Sequence, residues 1–516
     1  MLTAFANEPY VDFAEPGPRQ KMLEALRAVG SQLGQTYPLR IGGETVKTAE
    51  TIKSINPART GELVGLAGKA TPELADRAVR VAAETFKTWS RLAPGVRARY
   101  LLKAAAIMRR RIYELAAWEC YEVSKSWSEA YGDVCEAIDF LEFYARQMVR
   151  LGGPQPLTPW PGEENELRYI PLGVGVVIPP WNFPLAILTG MTSAAVASGN
   201  TVVLKPASAS PVIAAKFVEI MEEASLPAGV LNFLPGPGGA VGDVLVTHPL
   251  TRFIAFTGSK EVGLGIHAKA AQVSPGQIWL KRTILEMGGK DCIIVDETAD
   301  LDAAAEGIVS SAFGFQGQKC SACSRLVACR DIYDKLLDHV VERARSLTIG
   351  NTTSAENFDL GAVIDAAAHR KINEYIAIGR KEGRAVLADG KVPDGGYFVP
   401  PTIIADVAPY ARVAQEEIFG PVLAVIKAAD FDEALAIANG TEYGLTGSLY
   451  SNERQRLERA RQEFHVGNLY LNRKCTGAFV DVQPFGGFNM SGTDSKAGGR
   501  DYLLLFLQAK SIAERL

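Results

Sequence analysis

Residues 313–326 read FGFQGQKCSACSRL, placing Cys320 and Cys323 three residues apart behind a glycine-rich turn and a lysine. Two thiols at this spacing can be a redox couple, part of a metal site, buried fillers, or a loop presenting one nucleophile. A redox couple belongs at a helix start after the first strand of a small domain, whereas this pair lies deep in the chain and precedes the strand-like run RLVAC. Zinc needs four ligands. Cys329 is the next cysteine along, and His339 and His369 show no ligand spacing, so no metal is expected. A single nucleophile fits best, and a thiol with an ordinary pKa of about 8.5 needs a neighbour or a dipole to activate it. Glu286, in LEMGGKD after an apolar run, is a candidate base, or else a turn or cap carboxylate.

Three further stretches offer polar groups at strand ends. Asn182 in PPWNFP (179–184) is either a turn residue or an amide donor aimed at a developing oxyanion. Lys205 in LKPAS (204–208) is either a surface lysine at a strand exit or a group beside a bound nucleotide. FTGSKEVG (256–263) lacks the GxGxxG spacing, but its Gly-Ser at a helix start offers backbone N–H groups and a hydroxyl to a phosphate.

The elements that must position these groups alternate regularly. Leu101, Ala105, Met108, Ile112 and Leu115 recur at spacings of three and four and predict helix through 98–150. The stretch Tyr169–Leu204 carries no charge and is long enough to raise a membrane span, yet PPWNFP breaks its middle, so it reads as buried. It resolves into a strand GVGVVI (173–178), a helix from LAILTG onward and a strand TVVLK (201–205), apolar throughout as in a covered parallel sheet. The alternation continues through helix AAKFVEIMEEA, strand VLNFL, a helix near VGDVLV, strand RFIAF (252–256) and a helix after TGSKEVG. A second series begins with DCIIVDE (291–297) and runs through helices at 300–314 and 331–347 to GNLYLN (467–472). The fold class is therefore α/β, with two doubly wound units. The tail YLLLFLQAKSIAERL (502–516) reads as an apolar strand without a partner in its own unit, which predicts a contact between subunits.

Composition sets the outer limits. At 516 residues the chain exceeds one core. A net charge of −4 gives no basic field for nucleic acid. Seven scattered cysteines argue for a reducing compartment, and the first residues lack the basic start and apolar core of a signal peptide, so a cytoplasmic, non-membrane protein is expected.

Taken in order, PWNFP (180–184), KPA (205–207), FTGS (256–259), LEMGGK (285–290), GFQGQKCSA (314–322) and EEIFGPV (416–422) resemble the motif series of the aldehyde dehydrogenase superfamily. PLRIGGE (38–44), the segment 465–499 and the tail resemble its branch acting on L-glutamate γ-semialdehyde; TGA…VQPFGG is shared with the dehydrogenase half of bifunctional proline-utilisation enzymes. The chain is too short to add a proline dehydrogenase, so a monofunctional enzyme is expected.

The resemblance implies Cys320 as nucleophile, Glu286 as general base, and Asn182 with the Cys320 N–H as oxyanion hole. It implies NAD held by Trp181, Lys205, Ser208, Gly258, Ser259, Gly263, Glu417 and Phe419. Many NAD-specific members carry a glutamate where Ser208 stands, so NADP is also expected to be accepted. Ser321, Gly477 and Ala478 would hold the substrate's α-carboxylate, with Phe183 and Phe485 flanking its chain and Glu136 among the substrate residues. The implied reaction takes L-glutamate γ-semialdehyde, the open form of 1-pyrroline-5-carboxylate, to L-glutamate through a thiohemiacetal and a thioester, the second step of proline catabolism. Alternatives are another ω-semialdehyde such as succinate semialdehyde, or a non-catalytic nucleotide-binding relative. Residues 1–155 and 173–285 are expected to form the NAD-binding domain, 286–485 the catalytic domain, and 156–172 with 486–516 an oligomerisation arm. The arm would build a homo-oligomer, a dimer or trimer of dimers.

Overall fold

The computed structural model describes residues 3–516. Its first sheet has seven strands in the order Arg282–Glu286, Thr251–Thr257, Val174–Ile178, Thr201–Leu204, Leu231–Phe233, Leu39–Ile41 and Glu44–Val46. The first five are parallel. The Leu39–Val46 hairpin joins the far edge antiparallel, an addition the apolar alternation did not announce. The parallel part starts mid-sheet at Val174–Ile178, steps outward through two strands, then crosses to Thr251–Thr257 on the other side. That reversal makes a switch point between Val174–Ile178 and Thr251–Thr257, where α/β sheets bind ligands at their carboxyl ends.

The second sheet runs Arg384–Leu387, Thr402–Ala405, Val422–Ala428, Cys323–Cys329, Asp291–Val295, Thr446–Tyr450 and Asn468–Leu471, antiparallel only at its Arg384–Leu387 edge. Its central strands are buried along their length, as the uninterrupted apolar runs predict.

Residues 98–150 belong to three helices, not one continuous stretch: Pro94–Arg110, Ile112–Val123 and Trp127–Leu151. Ser124, in the left-handed region at φ 56°, ends the second. Lys125 beside it is wholly buried between the carboxylates of Glu119 and Asp133, so the break is built around an internal ion cluster that periodicity does not reveal. These helices carry much of the large core, including Trp118, Trp127, Phe143 and Tyr144.

The tail departs from expectation. Residues Tyr502–Phe506 form a 3-10 turn that buries Tyr502, Leu503 and Phe506, and only Leu507–Arg515 is strand. That strand pairs antiparallel with Glu163–Pro171 of the same chain, so it has its partner at home. The apolar side chains concentrate before residue 508, where Tyr502, Leu503, Phe506 and Leu507 are buried; beyond it the strand is largely exposed.

Candidate active site

The helix Leu301–Phe313 ends in a turn with an unusual backbone: Phe315, Gln316 and Gly317 have φ of 50°, 55° and 66°. Non-glycine residues in this region cost about 1–3 kcal/mol each and persist only where surroundings over-determine them. Here the surroundings do. Gln316 Nε2 donates to the carbonyls of Ser124 (3.1 Å) and Ala362 (2.8 Å), and Gln318 Oε1 accepts from the Ile364 N–H at 2.9 Å. A Cβ on Gly317 would stand 2.4 Å from the Gly420 carbonyl, so that position requires glycine. The turn delivers Cys320 just before the strand Cys323–Cys329, at the amino end of the second sheet.

Cys320 is half-buried and lines a cavity. Burial, then the carboxyls of Asp291, Glu286 and Glu417, push its thiol pKa up, so it rests as a neutral thiol. Cys323 is fully buried; its thiol donates to the Arg325 carbonyl at 3.4 Å, and it does not line that cavity. Cys120, Cys135 and Cys292 are buried as well.

Glu286 is the last residue of its strand, at the carboxyl edge of the first sheet. Ser495 Oγ donates to Glu286 Oε1, while the buried Oε2 has no partner. Burial raises the carboxyl to about 8, opposed by the Ser495 hydrogen bond and the Lys496 charge. Asn182 is buried and donates one amide N–H to the Gln318 carbonyl at 3.0 Å. Its second N–H is free to donate elsewhere. Asn182 does not itself line the cavity and is tied to the loop two residues before Cys320.

The cavity has a volume of about 350 Å³. It brings Cys320 and Glu286 together with Glu136, Phe183, Ser321, Gly477, Ala478 and Phe485, the whole substrate set expected from the sequence. Gly477 has φ 77°, which lets the loop turn back on itself at this wall. Two cations stand at this end. Lys319 pairs with Glu129 at 2.6 Å, and Lys474 has its pKa lowered by burial and then by Lys319. Glu136 is raised to about 8 by burial and the neighbouring Asp133. The sequence reading missed Glu129, Asp133, Lys319, Lys474, Tyr10 and Ser495. A signal existed for the first two: with Glu136 they make an acidic stripe at i, i+4 and i+7 on the otherwise buried Trp127–Leu151 helix.

The expected cofactor residues sit apart from this cavity. Lys205 is 5% exposed, so it is not a surface lysine. Its ammonium reaches only the Pro206 carbonyl at 3.4 Å, and burial lowers its pKa to about 8. Ser259 caps the helix Lys260–Ala271, accepting from the Val262 N–H at 3.4 Å. Gly258 N–H donates to the Glu286 carbonyl at 3.1 Å, so this turn and the candidate base share a hydrogen bond. Gly263 packs on Met287, and Ser208 is exposed on a turn. Glu417 Oε1 accepts from the Gly289 N–H at 3.3 Å. Phe419, at φ 61°, meets Trp181 edge-on at 5.6 Å between ring centroids. A buried ammonium and a helix start at the carboxyl end of the first sheet, with the Glu417 carboxylate bonded just past its edge strand, fit a dinucleotide. Among the described residues, no group of three or more His, Cys, Asp or Glu side chains is arranged to hold a metal ion.

The model of the aldehyde dehydrogenase family matches residues 45–512, and the chain belongs to that family. Within it, the chain is 57% identical over 514 residues to 1-pyrroline-5-carboxylate dehydrogenase of Geobacillus thermodenitrificans, covering 100% of both. A crystal structure of 1-pyrroline-5-carboxylate dehydrogenase from Thermus with bound NAD superposes with a TM-score of 0.98 at 55% identity, covering 100% of each chain. Proline utilization A from Bdellovibrio bacteriovorus, at 46% identity and a TM-score of 0.98, covers 99% of this chain, which spans 53% of that one.

Proposed function

We infer that this enzyme oxidises L-glutamate γ-semialdehyde, the open form of 1-pyrroline-5-carboxylate, to L-glutamate with NAD, the second step of proline catabolism. The observation that carries the reading is the joining in one cavity of Cys320, Glu286 and a wall formed by Ser321, Gly477 and Ala478. The relatives at 55–58% identity are 1-pyrroline-5-carboxylate dehydrogenases, which agrees with it.

In the reading we propose, Cys320 sulfur attacks the aldehyde carbon as its thiol proton passes to water in the cavity, and the carbonyl π pair moves onto the oxygen. The second N–H of Asn182 and the Cys320 N–H stabilise the oxyanion of the thiohemiacetal. Bound NAD supplies the hydride acceptor for this carbon. Oxidation leaves a thioester on Cys320; Glu286 takes a proton from water, the hydroxide adds to the thioester carbonyl, and the carbon–sulfur bond breaks to release the acid. Lys205 would serve the adenosine ribose, Gly258, Ser259 and Gly263 the pyrophosphate side, Glu417 the nicotinamide ribose, and Trp181 and Phe419 the nicotinamide surroundings. Ser208 carries no charge to repel a 2′-phosphate, so NADP is accepted too. Ser321 and the N–H groups of Gly477 and Ala478 would hold the α-carboxylate, between Phe183 and Phe485, with Glu136 on the same wall.

The expected division into an NAD-binding part (1–155, 173–285), a catalytic part (286–485) and an arm (156–172, 486–516) forms part of this proposal. The first sheet ends on Glu286 itself, which supports a boundary at that residue. Self-association through the arm, as a dimer or trimer of dimers, is supported by the exposed face of Leu507–Arg515 and by Trp160, 67% exposed beside it. Seven free thiols support a cytoplasmic setting. Among the described residues, no helix is long and apolar enough to cross a membrane.

Steady-state assays with L-glutamate γ-semialdehyde, succinate semialdehyde and propanal, each against NAD and NADP, test the reading. The highest kcat/KM is expected for the first substrate. A preference for succinate semialdehyde selects the other ω-semialdehyde, and no reduced cofactor with any aldehyde selects the non-catalytic relative.

A further inference from the structure

The family match begins at residue 45, yet a segment well before it reaches the substrate cavity. Residues 3–12 run without helix or strand and are anchored along the helix Trp127–Leu151. Arg146 Nε donates to the Thr3 carbonyl at 2.9 Å, and the Phe5 ring meets Phe143 at 5.2 Å. Glu8 N–H donates to Asp139 Oδ1 at 2.8 Å, and the Glu8 carboxylate pairs with Arg109. Past the segment, Phe13 is buried edge-on against Trp127.

Between these anchors two side chains reach the wall carrying Gly477 and Ala478. Asn7 Nδ2 donates to Asp139 Oδ2 at 3.0 Å and to the Val480 carbonyl at 3.1 Å, joining the Trp127–Leu151 helix to the loop through one amide. Tyr10 lines the cavity, and its ring packs on Phe479 at 5.6 Å between centroids. Phe479 and Val480 directly follow Ala478. Tyr10 is 57% exposed, so it stands at the mouth, while Gly132 opposite leaves it space: a Cβ there would lie 3.4 Å from the Tyr10 hydroxyl. The loop is therefore clamped from outside by residues absent from the region the family shares.

We propose that Asn7 and Tyr10 are specificity-determining positioning residues, which fix loop 477–480 so that the enzyme selects aldehydes bearing a carboxylate at their far end. This rests on the substrate reading above. A neutral short aldehyde occupies only the Cys320 end and has no use for a fixed loop; a carboxylate-bearing one binds well only where the Gly477 and Ala478 N–H groups are held in place.

The test is kcat and KM of full-length Asn7→Ala, Tyr10→Ala and Tyr10→Phe with L-glutamate γ-semialdehyde and with propanal at saturating NAD. Asn7→Ala and Tyr10→Ala are expected to raise KM for the semialdehyde about 2- to 10-fold, the range of one hydrogen bond or one ring contact, with kcat and the propanal parameters unchanged. Tyr10→Phe, which keeps the ring, is expected to match the unmodified enzyme. Equal changes for both aldehydes, or semialdehyde KM values that stay put in both alanine variants, overturn the proposal and leave the substrate reading standing. An unmodified enzyme that does not prefer the semialdehyde over propanal removes the substrate reading, and the proposal with it.

Discussion

Ser495→Ala should slow thioester hydrolysis at neutral pH and spare it at high pH. Glu286 acts as a base only when ionised, and burial already holds its carboxyl at about 8. About a tenth of the enzyme therefore carries the base form at pH 7. The Ser495 hydroxyl donates to Oε1 and opposes the burial shift. A hydrogen bond to a charged group contributes roughly 1.5–3 kcal/mol, and one pKa unit corresponds to about 1.4 kcal/mol. Removing it raises the Glu286 pKa by about one to two units, so the ionised fraction at pH 7 falls about 10- to 100-fold. The sign is fixed: turnover of the variant rises with pH and approaches the unmodified rate only above the new pKa. Stopped-flow measurement of reduced cofactor separates the two halves of the reaction. The first turnover should be nearly unchanged, and the steady rate that follows should show a pH–rate inflection displaced upward. A variant with an unmoved inflection, or with first turnover and steady rate falling together at every pH, refutes this account of Glu286.

Asn182→Ala should lower the first-turnover rate by about 10²–10³-fold, the usual loss for one oxyanion donor, while the dissociation constant for NAD, read by fluorescence titration, holds. Gly288→Ala puts a Cβ 2.2 Å from Glu417 Oε1 and forces that carboxylate aside, so KM for NAD should rise by at least about tenfold with the aldehyde KM unmoved. Cys323→Ala should keep turnover near the unmodified value, whereas Cys320→Ala abolishes it and still binds NAD. Ser208→Glu, at an exposed turn, should depress kcat/KM for NADP far more than for NAD; equal losses would remove Ser208 from cofactor selection.

The candidate site was legible where a polar residue interrupts an apolar strand exit. Glu286, Lys205 and Gly258–Ser259 announce themselves that way, and each sits at the carboxyl end of a first-sheet strand. The parallel strands were legible because burial on both faces leaves them uniformly apolar. What escaped depends on distant partners. The cysteine motif shows its glutamines, but not that Gln316 bonds a carbonyl 192 residues away and another 46 away. Lys319 shows its charge, and only folding shows that Glu129 neutralises it. The tail misled because five consecutive apolar residues suit a strand as well as a tight turn, and tertiary burial chose the turn. The Asn7 bridge has no local signature at all, since an asparagine in an irregular segment is ordinarily a turn former.

The left-handed run Phe315–Gln316–Gly317 ties the birth of activity to the last stages of folding. Its backbone is unfavourable by itself and is stabilised only when Ser124, Ala362 and Ile364 have arrived from elsewhere in the chain. A newly made chain can form helices and strands while Cys320 still lies in a relaxed, unaimed loop. Such long-range closures come late, because the entropy of bringing distant segments together must be met first. Regain of turnover on refolding should thus lag behind regain of secondary structure. Partly folded chains, though rich in ordered sheet, hold a Cys320 that is not yet aimed into the cavity beside Glu286, so they carry secondary structure without turnover.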